Sequence, residues 1–381
     1  MFPVSLFVSI DFFQSHSLFL YFYTDDLYYV IQKKGVSMNH SKSSHYTTIT
    51  IIQYIASVLI ILVHCGRLFQ HEGLHFFVKS MLCRAAVPFF LITTGYFLYK
   101  KSSQLPNYQE GYIRRLLKQY LFWSLIYLPY ALLFLYQQKT PLVFVPIALV
   151  GALLYIGTCY HLWYFPSLLT GIWIINLLSK HKKILLSFGA LLLLYSFGAL
   201  ETYSAYMENT LIGNLYFSYR QVFFTTRNGL FYSPIFIWSG FILAQNSHRS
   251  IFQKHLPVKL SLSTLLFCLE GWFVFQHQGD DKNFFFSLIP FSLFFLALIL
   301  QSKQPICSQE KLIRFLTHKN FLLHPAFLEA IKGLSPKFFD GYEITGLVLF
   351  AITYAMTSFA ALTLWKLSRR NTRQLAGGGT A

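Results

Sequence analysis

The sequence is short of charge, and of negative charge above all. Only 12% of its 381 residues are charged, and 14 acidic residues stand against 31 lysines and arginines. A soluble domain carries about 25% charged residues, so the composition argues against an ordinary soluble protein. The formal net charge is +17, but the basic residues cluster between apolar runs, as in the cytoplasmic loops of membrane proteins. A nucleic-acid partner is therefore not expected.

Motifs of soluble enzymes are also missing. The chain has no P-loop, no G-x-G-x-x-G, no H-E-x-x-H and no G-x-S-x-G. Its five cysteines include no C-x-x-C pair, which argues against a disulfide framework and a zinc site. We expect no metal site and no permanently bound cofactor.

What the sequence does contain is long apolar runs. Hydrophobic residues make up 55% of the chain, and the mean hydropathy is +0.47. Eleven apolar runs lie between residues 47 and 366, most of them near the about 20 residues that a helix needs to cross a bilayer. Alternating strand patterns are absent, and helices are then the remaining spanning form. The sequence predicts an all-α, polytopic transmembrane helical bundle.

The loop charges predict the orientation of the spans. Under the positive-inside rule, the basic segments 100–118 and 366–373 are expected in the cytoplasm and the acidic pair 280–281 outside. This leaves one crossing between residues 137 and 180, although two apolar runs lie there. We therefore predict about ten spans, with the N- and C-termini cytoplasmic and one extra segment around "GTCYHLWYFP" re-entrant or buried.

The chain is expected to contain one membrane domain. Residues 47–366 form it, preceded by a short cytoplasmic segment 38–46 and followed by a flexible cytoplasmic tail 367–381. Residues 1–37 are interpreted as an over-annotated or disordered extension, because "KKGVSM" is compatible with a translated ribosome-binding site before a start at Met38. The alternative for this extension is an interfacial amphipathic segment.

Ionisable side chains inside or at the ends of spans are costly, and they are functional candidates by default. His64 ends the run "VLIILVHCGR", and an imidazole there suits a general base toward a hydroxyl. An interfacial histidine bonded to a backbone carbonyl is the alternative. Arg84 in "CRAAVPFF" suits a carboxylate or phosphate held by two bonds, or it snorkels to the interface.

Three basic residues, Arg114, Arg115 and Lys118, precede the third apolar run. They suit the phosphates of a nucleotide-containing donor, and ordinary anchoring under the positive-inside rule is the alternative. His161 and Trp163 lie in the segment that we expect to be re-entrant or buried. Irregular backbone at membrane depth is tolerated only against protein or a water-filled cavity, so these two residues indicate a polar cavity.

Four more polar residues interrupt or begin apolar runs. Arg227 and Asn228 open the run "TTRNGLFYSPIFIW", and Glu270 interrupts "LLFCLEGWFVF". Arg84 or Arg227 is the expected partner of Glu270, because a buried carboxylate needs one. His324 in "FLLHPAF" precedes a proline that we expect to start a helix, and capping and catalysis both stay open for it.

These segments, in this order, resemble acyltransferase family 3, the bacterial integral-membrane O-acyltransferases. The resemblance covers about residues 48–366, and it is nearest to the Gram-positive branch that includes the membrane domain of the vancomycin-resistance serine racemase. Its segments are "IIQYIASVLIILVHCG", "CRAAVPFFLITTGYFLYKK", "RRLLKQYLFWSLIY", "HLWYFPSLLTGIWII", "TRNGLFYSPIFIWSGFILA" and "FLLHPAF".

The resemblance implies transfer of an acyl group, expected to be acetyl, in the bacterial plasma membrane. The donor would be cytoplasmic acetyl-CoA or another acyl-CoA, and the acceptor a hydroxyl of a surface glycan or cell-wall polymer. The family's histidine falls on His64, its arginine before "VPFF" on Arg84, and its basic pair on Arg115 and Lys118. With these roles, Arg84 and Arg227 would stabilise the developing oxyanion.

The chain departs from the family pattern at one position near the histidine. Gln53 stands eleven residues before His64, where the family usually has a basic residue. Two other functions therefore stay open: a permease or flippase for a small, amino-acid-like molecule, and a catalytically inactive interaction or scaffold protein.

Overall fold

The computed structural model describes residues 46–179, 183–338, 341 and 343–377, with side chains up to residue 370. Our predictions for residues 1–37 lie outside this part of the chain. Every regular element in the described ranges is a helix. The all-α prediction is confirmed.

The helices follow one another without intervening strands in the described ranges, and several contain a 3-10 or π turn. We number them α1 Thr47–Val63, α2 Glu72–Ser102, α3 Tyr108–Ile126, α4 Leu128–Gln137, α5 Leu142–Ile156, α6 Tyr164–Ser179, α7 Ile184–Tyr206, α8 Leu211–Phe223, α9 Ser233–Gln245, α10 Leu256–Gln276, α11 Leu288–Gln301, α12 Glu310–Phe338 and α13 Gly346–Gly377.

Several helices are able to cross a membrane. α2, α7, α10 and the first 25 residues of α13 are long and apolar enough. α3 and α4 make a fifth candidate if they form one span, bent by 53°. Five shorter apolar helices, of 10–17 residues, are α1, α5, α6, α9 and α11. The helical membrane class is confirmed, and the count of about ten spans stays a prediction.

The described residues divide into two compact units. One contains residues up to Tyr54 and from Gln304 onward, and in it α12 packs against α13. The other is Ile55–Lys303. Its centre is α9, which packs against α2, α6 and α11, and α10 packs against α11. All the residues of the candidate site described below belong to this second unit.

Glycines bring the backbones of α2 and α9 into direct contact. A Cβ atom on Gly95 would lie 2.1 Å from the carbonyl oxygen of Ile237, and one on Gly240 would lie 2.0 Å from that of Ile92. Small residues allow membrane helices to pack at this close distance. The two helices therefore form one tightly packed pair.

We expect Gly240→Ala to destabilise the protein strongly, because the added methyl group meets a backbone oxygen that cannot rotate away. The expected loss is about 3 kcal/mol, the upper end of the usual cost of overpacking. The measurement is the thermal unfolding midpoint of the detergent-solubilised protein. Gly189→Ala is the matched control, since no atom lies within 4 Å of its added Cβ. Equal midpoints for the two variants would contradict the prediction.

Candidate functional site

Two arginines from different helices meet at one carboxylate. Arg84 lies in a 3-10 turn inside α2, and its guanidinium donates to Asp281 at 2.7 Å and to Asn283 at 2.6 Å. Arg227 lies in the turn before α9, with Nη1 3.8 Å from Asp281 and 3.5 Å from Asn283. Both acceptors belong to the loop between α10 and α11. We call Arg84, Arg227, Asp281 and Asn283 the arginine cluster.

The arginine cluster has an excess of positive charge and is partly accessible. Two guanidinium groups face one carboxylate, and the side chains of Arg84, Arg227 and Asp281 are 20%, 20% and 29% exposed. The Nε atoms of both arginines are buried without a hydrogen-bond partner in the described part of the chain. Such a group of donors favours a negatively charged ligand or transition state.

The charge state of Asp281 follows from its neighbours. Burial by itself raises the pKa of Asp281, but Arg84 and Arg227, followed by bonds from the Lys282 amide and the Asn283 side chain, lower it to about 2. The carboxylate is therefore ionised at neutral and at mildly acidic pH. The ion pair is a permanent feature of the folded protein.

This pKa predicts how stability depends on pH. A carboxyl with a lowered pKa in the folded state contributes stability above its unfolded pKa, near 3.9, and loses it as the pH falls toward 2. We expect Asp281→Asn to lower the thermal midpoint most above about pH 5, and the difference from wild type to be about half as large at pH 3. The exposed Glu208→Gln is the control. A difference that is constant between pH 6 and pH 3 would contradict this account.

The irregular segment before α6 lies beside the arginine cluster. The guanidinium carbon of Arg227 is 4.8 Å from the ring centroid of Trp163, a cation–π contact. The segment's non-helical course begins at Gly157, where φ is +80° and a Cβ would lie 2.8 Å from the Leu162 backbone. Residues 157–163 are buried except for the half-buried Tyr160. The expected irregular, buried segment is present.

The same segment also contacts His64. α1 ends at Val63 and His64 follows it, half-buried, with its ring centroid 4.6 Å from that of Tyr160. The neighbouring His161 is buried and lies edge-on to Tyr127 at 4.9 Å. Residues 160–163 thus connect His64 at one end with Arg227 at the other. The candidate site consists of this segment, His64 and the arginine cluster.

The basic residues expected to hold donor phosphates form a separate feature. Arg114, Arg115 and Lys118 are exposed on α3, and Arg114 pairs with Glu110 at 2.9 Å. Tyr127, just past the end of α3, contacts His161, which is next to the Tyr160 that contacts His64. Arg115 lies twelve residues before Tyr127, which is about 18 Å along a helix axis. The structure therefore does not bring the basic residues to His64.

A cavity of about 280 Å³ lies among α2, α6 and α9. Its walls are mostly aliphatic and aromatic. Its polar lining includes Gln109 of α3. Gln109 precedes Arg115 by six residues on the same helix. The polar lining residues are Ser102, Ser103, Gln109, Asn176 and Ser179.

Asn228 has a structural role that the sequence did not indicate. α9 begins at Ser233, and Arg227 and Asn228, which open the apolar run, lie in a turn before this helix. The Asn228 side chain accepts from the amides of Leu230 and Phe231 at 2.8 and 3.1 Å, and donates to Tyr155 at 2.6 Å. Asn228 therefore holds the turn that presents Arg227.

The predicted pairing of Glu270 with Arg84 or Arg227 is wrong. The Glu270 carboxylate accepts from the backbone amides of Phe286 and Ser287 at 2.6 and 2.8 Å, and also from the Tyr203 hydroxyl. The chain entering α11 leaves amide groups without helical partners, and the carboxylate satisfies two of them. This capping contact explains why a half-buried carboxylate interrupts the apolar run.

The predicted helix start at Pro325 is also wrong. His324 and Pro325 both lie inside α12 and are buried. The Nδ1 atom of His324 is 2.8 Å from the carbonyl oxygen of Asn320, one turn earlier. Pro325 lacks the amide that would donate to the Phe321 carbonyl, whereas the His324 ring contacts the carbonyl of Asn320, one residue earlier. His324 belongs to the other compact unit, and the residues of the candidate site do not.

Sequence reasoning missed the acceptors of the arginine cluster. Asp281 and Asn283 are in a short polar loop, which we used only to assign the outer side. The available signal was charge balance: buried arginines need anions, and acidic residues are scarce in this chain. The pair Asp280–Asp281 was therefore a candidate partner on the sequence alone.

Comparison with known protein families supports the resemblance that the sequence segments indicate. The acyltransferase 3 family model, described as an acyltransferase domain, matches residues 46–366. No solved structure matches the chain.

Curated relatives come from enterococci. The chain is 30% identical over 297 residues to a serine/alanine racemase of Enterococcus gallinarum, covering 74% of this chain and 41% of that protein. It is 25% identical over 301 residues to an amino-acid racemase of Enterococcus faecalis, covering 75% and 42%. The chain thus spans less than half the length of these relatives. By the match over most of its length, this membrane protein belongs to the acyltransferase 3 family.

Proposed function

We propose that the protein is an O-acyltransferase that moves an acetyl group from cytoplasmic acetyl-CoA to a hydroxyl of a surface glycan or cell-wall polymer. The observation that carries the proposal is the connection of His64 to the arginine cluster through residues 160–163. A base and a group of cationic donors are the two parts that acyl transfer to a hydroxyl requires.

The roles of the residues follow from the reaction. His64 takes the proton of the acceptor hydroxyl, whose oxygen attacks the thioester carbonyl. Arg84 and Arg227 stabilise the oxyanion that forms, because they are oriented before the reaction and partly shielded from water. When the tetrahedral intermediate collapses, the thiolate of coenzyme A leaves and receives the proton from His64. Bonds, protons and charge balance without a cofactor.

The acyl-CoA donor would bind at the end of the spanning helices that is opposite to His64. Arg115 and Lys118 are exposed on α3, where they suit the phosphates of coenzyme A. The cavity of about 280 Å³ shares α3 with them through Gln109. In this proposal the thioester reaches from the cavity toward His64, and the cytoplasmic end of α3 is the end that carries the basic residues.

Passage of a small amino acid is a second candidate. The named relatives act on amino acids, and their matched halves resemble this chain. The arginine cluster combines cations with one carboxylate, which complements a carboxylate and an ammonium group on one ligand. In this function the chain would be a permease, and it would form no ester.

Deletion of the gene separates the two candidates. We expect deletion to lower the alkali-released acetate of isolated cell envelopes, and a plasmid copy to restore it, with serine uptake unchanged. Unchanged envelope acetate in the deletion strain would contradict the acyltransferase proposal. Lower uptake of radiolabelled serine with unchanged acetate would favour the permease.

A further inference from the structure

The end of α7 contacts both chain segments that meet at the arginine cluster. Three polar residues there, Glu201, Thr202 and Ser204, are buried, with exposed fractions of 5%, 0% and 4%. One contacted segment is the turn 225–228, which contains Arg227, and the other is the loop 279–284, which contains Asp281 and Asn283. None of the three buried residues was a candidate in the sequence.

On one side, the carboxylate of Glu201 holds the turn. It accepts from the backbone amide of Thr226 at 2.8 Å and from the Thr225 hydroxyl at 2.9 Å. The Thr226 hydroxyl lies 2.5 Å from the carboxylate and 2.7 Å from the Gly198 carbonyl oxygen, between two acceptors. The Thr225 hydroxyl oxygen in turn accepts from the Arg227 amide at 3.0 Å. The Thr225 hydroxyl therefore links the backbone amide of Arg227 to the Glu201 carboxylate.

On the other side, the same turn of α7 holds the loop. The Asp281 amide donates to the Glu201 carbonyl oxygen at 3.3 Å, and the Phe284 amide donates to the Thr202 hydroxyl at 3.0 Å. Gly279 lies so close that a Cβ there would be 2.5 Å from the Thr202 carbonyl oxygen. The loop residues that accept from the arginines are thus fixed at both ends.

We propose that Glu201 is a positioning residue, which fixes Arg227 opposite Asp281 and Asn283. The contacts of Arg227 with these acceptors are long, 3.8 and 3.5 Å, and are too weak to determine where the guanidinium lies. The bonds of Glu201 are shorter and buried, and breaking them leaves polar groups unsatisfied. This geometric role is independent of the chemistry, and its catalytic purpose rests on the proposed function.

Trypsin cleavage after Arg227 tests the geometric role directly. The full-length protein is digested briefly in detergent, and cleavage after Arg227 is measured by mass spectrometry relative to cleavage after the exposed Arg249. Proteolysis reports local opening. We expect Glu201→Ala to raise this ratio at least about tenfold, because the turn loses its support.

Two controls separate support from general damage. Glu201→Gln keeps an acceptor for the Thr226 donors and gains a donor toward the Thr225 oxygen, so we expect its ratio within about twofold of wild type. Glu208→Ala changes an exposed glutamate just past the end of α7, and we expect the same result there. An unchanged ratio in Glu201→Ala, or an equal increase in Glu208→Ala, would overturn the proposal.

A second variant keeps the test valid if Glu201→Ala does not fold. Thr225→Val removes the hydroxyl between Glu201 and Arg227 and keeps the shape, whereas Thr225→Ser keeps the hydroxyl. We expect a raised cleavage ratio for valine and an unchanged one for serine. Equal ratios for the two variants would overturn the proposal.

Transfer activity is measured on the same variants. With radiolabelled acetyl-CoA and cell envelopes, we expect Glu201→Ala to lose at least about tenfold in kcat with little change in the donor KM, and Glu201→Gln to retain activity. If cleavage changes as expected but wild type transfers no label, the proposed function fails and the positioning role stands. If cleavage is unchanged while wild type is active, the positioning role fails alone.

Discussion

Replacing His64 with alanine is expected to reduce acyl transfer by about a thousandfold, within the 10²–10⁴ that a general base contributes. The acceptor hydroxyl is a weak nucleophile, and the His64 imidazole lies against Tyr160, at the start of the segment that leads to the arginine cluster. The rate of label transfer from radiolabelled acetyl-CoA into the alkali-labile envelope fraction measures the effect. The amount of protein in the membrane should not change, because His64 follows the end of α1 and is only half-buried.

A matched control distinguishes this effect from the loss of any histidine. His248 is exposed in the loop after α9, and His248→Ala should transfer label at the wild-type rate. If His64→Ala keeps more than about a tenth of the wild-type rate at normal expression, His64 is not the base. The acyltransferase mechanism proposed above would then lack its proton acceptor.

Replacing Arg84 with glutamine is expected to lower kcat by about 10²–10³, the usual cost of removing an oxyanion donor. Arg84 also pairs with Asp281 at 2.7 Å, so the single variant combines two losses. One is the positive charge toward the oxyanion, and the other is the stability of a carboxylate left with Arg227 alone. Arg220→Gln is the matched control, because Arg220 pairs with the neighbouring Asp280 at 2.9 Å outside the cluster.

The double variant Arg84→Gln with Asp281→Asn separates the two losses. It removes one cation and the anion together, so no carboxylate is left without its 2.7 Å partner, and Arg227 keeps its contacts with Asn283 and the Trp163 ring. We expect its thermal midpoint to lie closer to wild type than that of the single variant, while transfer stays low. Recovery of transfer in the double variant would show that Arg84 acts only through its ion pair.

Single positions were more predictable than their combinations. His64, Arg84 and Arg227 stand out because each interrupts or ends an apolar run, and the cost of an ionisable group in a membrane makes such positions conspicuous. That Arg84 and Arg227 share Asp281 depends on how helices far apart in the chain pack. The glycines that bring α2 and α9 together were visible in the sequence, but their partners were not.

The errors have a common physical cause. Glu270 and His324 were interpreted from their neighbours in sequence, whereas their hydrogen bonds satisfy backbone groups. The backbone amides bonded by Glu270 belong to the start of another helix, and the carbonyl bonded by His324 belongs to the preceding turn of its own helix. A backbone without water must find partners within the protein, and polar side chains in apolar runs supply them. Glu201 ends an apolar run in the same way and supports a turn that is 24 residues later.

The charge of the arginine cluster is constant at neutral and mildly acidic pH. Arginine side chains stay protonated throughout, and Asp281, with a pKa of about 2, stays ionised. Among the residues proposed to act on the reacting atoms, His64 is then the one whose protonation changes near neutral pH. A fall in the transfer rate on the acid side of a pH–rate profile is therefore expected from His64 and not from the cluster, and loss of that fall in His64→Ala would assign it.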